Sequence, residues 1–350
     1  MKRIISVAIA VLLLAGSLSA CASGSQPQPA AESEAQPAAE SEVQSAAKPD
    51  AQPVEDIGNI RIVTTIFPIY DWVMNILGDN PANADVTMLL DTGVDLHSFQ
   101  PTAADVLKIS DCDLFIYVGG ESDEWVDDTL QEAANKDMVV VDLLDVLGDS
   151  VKEEELIEGM QEEEHDHGEG EIEYDEHVWL SLKNAAVLVN NISDAVQKID
   201  PAHAEAYQKN AAAYREKLNA LDAEYQAAVS SASYTTLLFG DRFPFRYLVD
   251  DYGLTYYAAF VGCSAETEAS FETITFLAQK VDELSLPAVM TIEGTDHRIA
   301  ETIVLSTASK DQQILTMDSM QSVTTQDVED GTSYLSIMEN NLSVMKDALK

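Results

Sequence analysis

From Ala202 to Val229 the chain runs 28 residues without a glycine or a proline. Within that run Tyr207, Ala211, Tyr214, Leu218, Leu221 and Tyr225 recur at helical spacing, with Lys, Glu and Asn on the other face. Asp200-Pro201 supplies a start signal, Asp as N-cap and Pro at the first helical position. Such a helix is about 42 Å long. Placed between two folded parts, it resists hinge bending far more than loop crossovers would. The two parts are therefore expected to open and close only slightly.

Both flanks carry the same rhythm. On the N-terminal side IRIVTTI, centred on 61–66, is followed by ADVTMLL (84–90), DLFIYVG (113–119) and MVVVDLL (138–144). Helical stretches such as PIYDWVMNIL (68–77) separate them. On the C-terminal side TTLLFG (235–240), LTYYAAF (254–260), AVMTIE (288–293) and QILTMD (313–318) repeat the pattern. Continuous apolar strands alternating with helices imply mainly parallel sheets covered on both faces. The expected fold is α/β: two lobes, each with a mainly parallel sheet flanked by helices, joined by one long rigid helix. Roughly 300 residues are also too many for one ordinary compact core. The boundaries read as 57–199 for the first lobe, 200–230 for the linking helix and 231–350 for the second lobe. At the C-terminus Tyr334, Met338, Leu342, Met345 and Leu349 form an apolar helical stripe that reads as core.

The first 56 residues have another character. Lys2 and Arg3 precede an apolar run, Ile4 to Leu14, and Leu18-Ser19-Ala20 leads into Cys21. A charged start, a short apolar core and small residues make residues 1–20 a secretory signal rather than a membrane span. Cys21 after Leu-Ser-Ala resembles the bacterial lipobox, which implies cleavage before Cys21 and lipidation there. Residues 21–56 form a tether of Ala, Gln, Pro, Glu and Ser, with QPAAESE at Gln28–Glu34 and again at Gln36–Glu42. A segment this poor in apolar surface is expected to remain disordered.

Charge narrows the partners. With 62 Asp and Glu against 19 Lys and Arg, the formal charge is −43, which argues against nucleic acid. The same acidity attracts divalent cations, and it also serves solubility. Cys112 and Cys263 fall in different lobes, which argues against a disulfide between them.

The stretch Met160–Ser181, MQEEEHDHGEGEIEYDEHVWLS, holds His165, His167 and His177 among carboxylates. Imidazoles suit zinc, copper or nickel, and carboxylates add harder ligands and long-range attraction. The region 152–174 reads as an acidic loop, whereas His177 is followed by Val178-Trp179-Leu180, an apolar strand edge or pocket wall. His203 and His297 flank helix starts and read as surface residues. A zinc hydrolase would need an open site and a general base, and no HExxH pair occurs.

HSFQPTAADV at His97–Val106, DEHVWLSLKNA at Asp175–Ala185, the linking helix and a second lobe follow one another in this order. Together with the lipobox and tether, they make the mature chain resemble the metal-binding lipoproteins of bacterial zinc and manganese ABC importers, the ZnuA/AdcA/TroA-like cluster. The resemblance implies that His97 and His177 are metal ligands and that the acidic loop, with His165 and His167, is an auxiliary metal-collecting element. It also implies a carboxylate ligand at Asp318 within MDSMQSV. The third ligand departs from the pattern. In GDRFPFRYLVDDYGL, Arg242 stands where the family carries His or Glu, and a guanidinium cannot ligate a cation. Asp241 next to it is the substitute candidate. Glu293, at a strand's end, is a reserve, because parallel sheets face ligands there.

The function so implied is that of an extracytoplasmic substrate-binding component, lipid-anchored to the cell membrane. It would capture Zn²⁺ between its lobes and deliver it to an ABC permease with its ATPase, without enzymatic activity and as a monomer. Manganese as cargo, or a role as a metal-binding surface adhesin or storage lipoprotein, stays open at this point. Two histidines favour zinc, and extra carboxylates weaken that preference.

Overall fold

The computed structural model describes residues 59–161, 173–264 and 268–350. The signal segment, Cys21, the tether, and His165 and His167 of the acidic loop lie outside the described residues.

The N-terminal half runs β1 (Arg61–Thr64), α1 (Phe67–Leu77), β2 (Asp85–Met88), α2 (Ala103–Asp111), β3 (Leu114–Tyr117), α3 (Trp125–Glu132), β4 (Val139–Asp142), α4 (Leu143–Leu147) and α5 (Leu182–Ile199). The long α6 (Ala204–Ser230) follows. The C-terminal half runs β5 (Thr236–Phe243), α7 (Arg246–Tyr252), β6 (Thr255–Val261), α8 (Phe271–Leu284), β7 (Ala288–Ile292), α9 (Arg298–Ser306), β8 (Gln313–Met317), α10 (Thr325–Glu329) and α11 (Tyr334–Ala348). The strands form two four-stranded sheets, ordered β2-β1-β3-β4 and β6-β5-β7-β8, and every pairing is parallel. All eight strands fall inside or across the apolar runs seen in the sequence. The central strands β1, β3, β5 and β7 are mostly buried, which is why they read as continuous apolar runs, whereas the edge strands β2, β4 and β8 stay partly exposed.

Two local readings change. Val178–Leu180 is a fully buried 3-10 turn, not a strand edge. Asp200 does not cap the long helix: Pro201–His203 forms a separate 3-10 turn, and α6 begins after it. The Asp200 carboxylate instead accepts from Tyr207 Oη at 2.6 Å and pairs with His203 Nδ1 at 2.7 Å. By contrast, Thr102 forms a capping box with Asp105 at the start of α2, so the Gln100-Pro101-Thr102 turn after His97 is fixed from its C-terminal side.

The six apolar positions of α6 are buried, and the helix packs along α1, α5 and α11. It therefore lies against both lobes rather than standing as a strut between them. One continuous core includes Ile62 and Phe115 from the first sheet, Leu218 from α6, and Phe239 and Met290 from the second sheet. A smaller core, with Leu238, Leu277, Val289 and Ile303, fills the outer face of the second sheet under α8 and α9. Three contacts weld the halves near the His177 turn. Trp179 Nε1 donates to Ser319 O at 2.9 Å, Tyr334 Oη donates to Trp179 O at 2.7 Å, and the Tyr334 ring meets Trp72 edge-on at 5.3 Å.

Candidate metal centre

His97 sits on a short 3-10 turn, Leu96–Ser98, beyond the C-terminal end of β2. Asp95 fixes that turn by accepting from His97 N at 3.0 Å. His177 is fixed in the same manner, its N donating to Asp175 Oδ1 at 2.9 Å. The two rings meet with Nε2 atoms 3.2 Å apart, and the His177 ring is fully buried.

The other ring nitrogens have acceptors. His177 Nδ1 lies 2.9 Å from Asp175 Oδ1. His97 Nδ1 lies 2.8 Å from Ser122 Oγ and 3.4 Å from Glu176 Oε2. The Asp175 carboxylate only accepts, so His177 Nδ1 carries the proton and its Nε2 presents its lone pair; when His97 Nδ1 likewise donates to Ser122 Oγ, its Nε2 presents a second. Two lone pairs facing each other at 3.2 Å repel unless a cation or a proton lies between them. Tetrahedral zinc with Zn–N bonds of about 2.0–2.1 Å spaces two nitrogens about 3.3–3.4 Å apart. The geometry fits an ion.

The surroundings are anionic and held. Burial works to raise the Glu176 carboxyl, but its hydrogen bonding with His97 and Ser122 outweighs that and keeps the group below its usual range. Burial likewise works against ionised Asp95 and is outweighed, here by Arg242 and His97. Gln321 Oε1 is buried without a hydrogen-bond partner. Gln321 is 7% exposed, and its Nε2 lies 3.4 Å from His177 Nε2.

Among the described residues, the groups of ligating type that converge to within 4.8 Å of one another are His97, His177 and Cys263. Asp241, Asp318 and Glu293 are not in that group. The Asp241 carboxylate is spent inside its own lobe, accepting from Arg242 N at 2.9 Å, Thr295 Oγ1 at 2.9 Å and Ile292 N at 3.2 Å. A register shift in the β5–β6 pairing between Phe239 and Arg242 accompanies this inward turn. Glu293 accepts from Ser319 N at 2.7 Å, Ser319 Oγ at 2.6 Å and Gln321 N at 3.3 Å. Asp318 Oδ1 accepts from Met320 N at 2.7 Å. These two carboxylates thus build the turn that delivers Gln321. Burial, then the charge of Asp318, pushes the Glu293 carboxyl up to about 7.

Arg242 faces the cleft. Its Nη2 pairs with Asp95 Oδ2 at 2.6 Å, and its Nη1 donates to Ser264 O at 3.2 Å. Beside it opens a cleft of ≈ 450 Å³, lined by Asp95, Ser98, Asp241, Arg242, Ser264 and Thr295 among others. The described feet of the acidic loop rest nearby: Gln161 N donates to Ala259 O at 3.0 Å, and Tyr247 Oη donates to Asp175 O at 2.7 Å.

Cys263 and Gln321 escaped the sequence reading. Cys263 follows Gly262 directly after β6, at the end of a parallel strand where ligands gather, and that position was its one available signal. Nothing local marks Gln321, because its place depends on a turn held by Glu293.

Known proteins share this architecture. The zinc-binding lipoprotein AdcA of Streptococcus pneumoniae serotype 4 is 34% identical over 295 residues, covering 83% of this chain and 56% of that protein. The chain thus spans little more than half the length of the curated relatives it matches first. The high-affinity zinc uptake system protein ZnuA of Bacillus subtilis is 30% identical over 295 residues, covering 83% of this chain and 88% of that one. The crystal structure of the Zn(II)-bound ZnuA-like domain of Streptococcus pneumoniae AdcA superposes with a TM-score of 0.65 at 30% identity, covering 83% of this chain and 99% of that one. Residues 62–348 match the family described as zinc-uptake complex component A, periplasmic. That match spans both sheets, α6 and the paired histidines, and the chain belongs to this family.

Proposed function

We propose that the protein is the extracytoplasmic substrate-binding component of a bacterial ABC importer, and that it captures Zn²⁺ between two lobes at His97 and His177. The observation that carries this reading is the pair of facing Nε2 atoms, 3.2 Å apart, with both Nδ1 atoms turned to acceptors. A cation relieves that arrangement, whereas a protein without cargo has no use for it. The names of the relatives point to the same metal. A permease and its ATPase are the partners, a lipid on Cys21 is the anchor, and the chain works as a monomeric carrier rather than an enzyme. Its lobes are residues 57–199 and 231–350, joined through 200–230. The acidic loop, with His165 and His167, gathers ions weakly and feeds the cleft.

Asp241, Asp318 and Glu293 serve this reading by shaping the turns around the ion. The test is calorimetry on the purified chain. The wild type is expected to bind one zinc ion tightly, and the His97→Ala/His177→Ala double variant to lose that stoichiometric binding. A tight site retained in the double variant would overturn the assignment. Manganese is the second reading, and competition between the two metals at the same site separates them.

A further inference from the structure

The two histidines belong to the first lobe, and the family's usual contribution from the second lobe is replaced here by Arg242. We propose that Cys263 is the second lobe's ligand to the captured zinc, giving a His97–His177–Cys263 site with the Gln321 amide oxygen in the fourth position. The inference rests on the reading of His97 and His177 as a zinc site.

Three observations carry it. First, Cys263 Sγ and one nitrogen from each histidine lie within 4.8 Å of one another, a spread that Zn–S bonds of about 2.3 Å and Zn–N bonds of about 2.0–2.1 Å can gather with small side-chain movements. Second, the backbone before Cys263 is pressed onto the His177 ring. A Cβ added to Gly262 would lie 2.9 Å from His177 Cε1, 3.0 Å from His177 Nδ1 and 3.0 Å from Phe243 O. Glycine is what allows that approach, and the approach sets the thiol beside the imidazoles. Third, Gln321 is buried, its amide lies 3.4 Å from His177 Nε2, and its Oε1 has no partner. A half-turn of the amide exchanges Nε2 and Oε1 and would set the orphaned oxygen at the position facing His177 Nε2.

Arg242 then acquires a role. One arm of its guanidinium holds Asp95, which positions His97 N. The other holds Ser264 O, next to Cys263. It occupies the family's ligand position as a clamp that ties the two ligand-bearing loops together. Ligation is balanced by one proton: the Cys263 thiol gives up its hydrogen to solvent as the sulfur–zinc bond forms. A thiolate is a soft donor, so the set favours zinc over manganese, which prefers oxygen ligands.

The test uses the purified full chain carrying Cys21→Ser, with Co²⁺ as a spectroscopic probe and Zn²⁺ measured against a competing chelator. The parent is expected to show a near-ultraviolet thiolate-to-cobalt charge-transfer band, to bind zinc tightly and to reject manganese. Adding Cys263→Ser should abolish the band and weaken zinc binding at least tenfold, with the metal-free melting temperature unchanged. Gln321→Leu should weaken binding while keeping the band. If the parent binds zinc through its histidines but shows no thiolate band, and Cys263→Ser binds as tightly, the cysteine assignment is wrong and the two-histidine reading stands. If His97→Ala/His177→Ala retains the tight site, the underlying reading fails instead.

Discussion

Single atoms decide most of the chemistry here. The facing Nε2 atoms need the acceptors behind them, and the His177 ring needs the bare backbone of Gly262 in front of it. Gly262→Ala is therefore expected to push the ring out of line and lower zinc affinity at least tenfold, read by chelator competition. Unchanged affinity would mean that the ring yields without leaving the ion. The two histidines were legible in the sequence because each sits in a local motif whose neighbours, Asp95 and Asp175, fix it within two residues. Cys263 was not, since it meets His177 only through packing of the two lobes. Asp241 looked eligible because it adjoins the vacated ligand position. The register shift in β5 turns its carboxylate toward Ile292 and Thr295 and leaves Arg242 in the cleft.

At the level of elements, the regular pieces were the most legible. Mostly buried central strands and a long amphipathic helix leave strong periodic signals, whereas the 3-10 turns at His97 and His177 leave none. The seam between α1 and α6 carries a measurable consequence. Tyr214 Oη of α6 donates to Asp71 Oδ2 of α1 at 2.9 Å, and Asn75 Nδ2 donates to the same oxygen at 3.1 Å. Burial nonetheless dominates and pushes the Asp71 carboxyl up to about 6 from 3.8. The folded state thus holds this proton more firmly than the unfolded chain does. The stability the group contributes is full below about pH 4 and is lost as pH rises through about 6, an effect of roughly 3 kcal/mol. Asp71→Asn keeps a neutral acceptor for Tyr214, so its unfolding free energy is expected to fall less between pH 4.5 and 7.5 than the wild type's. Urea titrations at the two pH values measure the difference, and parallel slopes would refute it.

For the whole molecule, the shared core matters more than the count of sheets. Residues from both sheets and α6 belong to one apolar cluster, and α11 packs on both α1 and α6. The described part is expected to unfold in one calorimetric transition, with equal calorimetric and van't Hoff enthalpies. Two resolved transitions would show that the lobes fold apart. The weld around Trp179 has a consequence in time. Ser319 and Tyr334, which hold the turn beside His177, lie 140 and 155 residues further along the chain. A chain growing from its N-terminus therefore owns both imidazoles long before it owns the groups that lock one of them in place. A chain halted before Tyr334 presents both imidazoles with the turn beside His177 still unlocked.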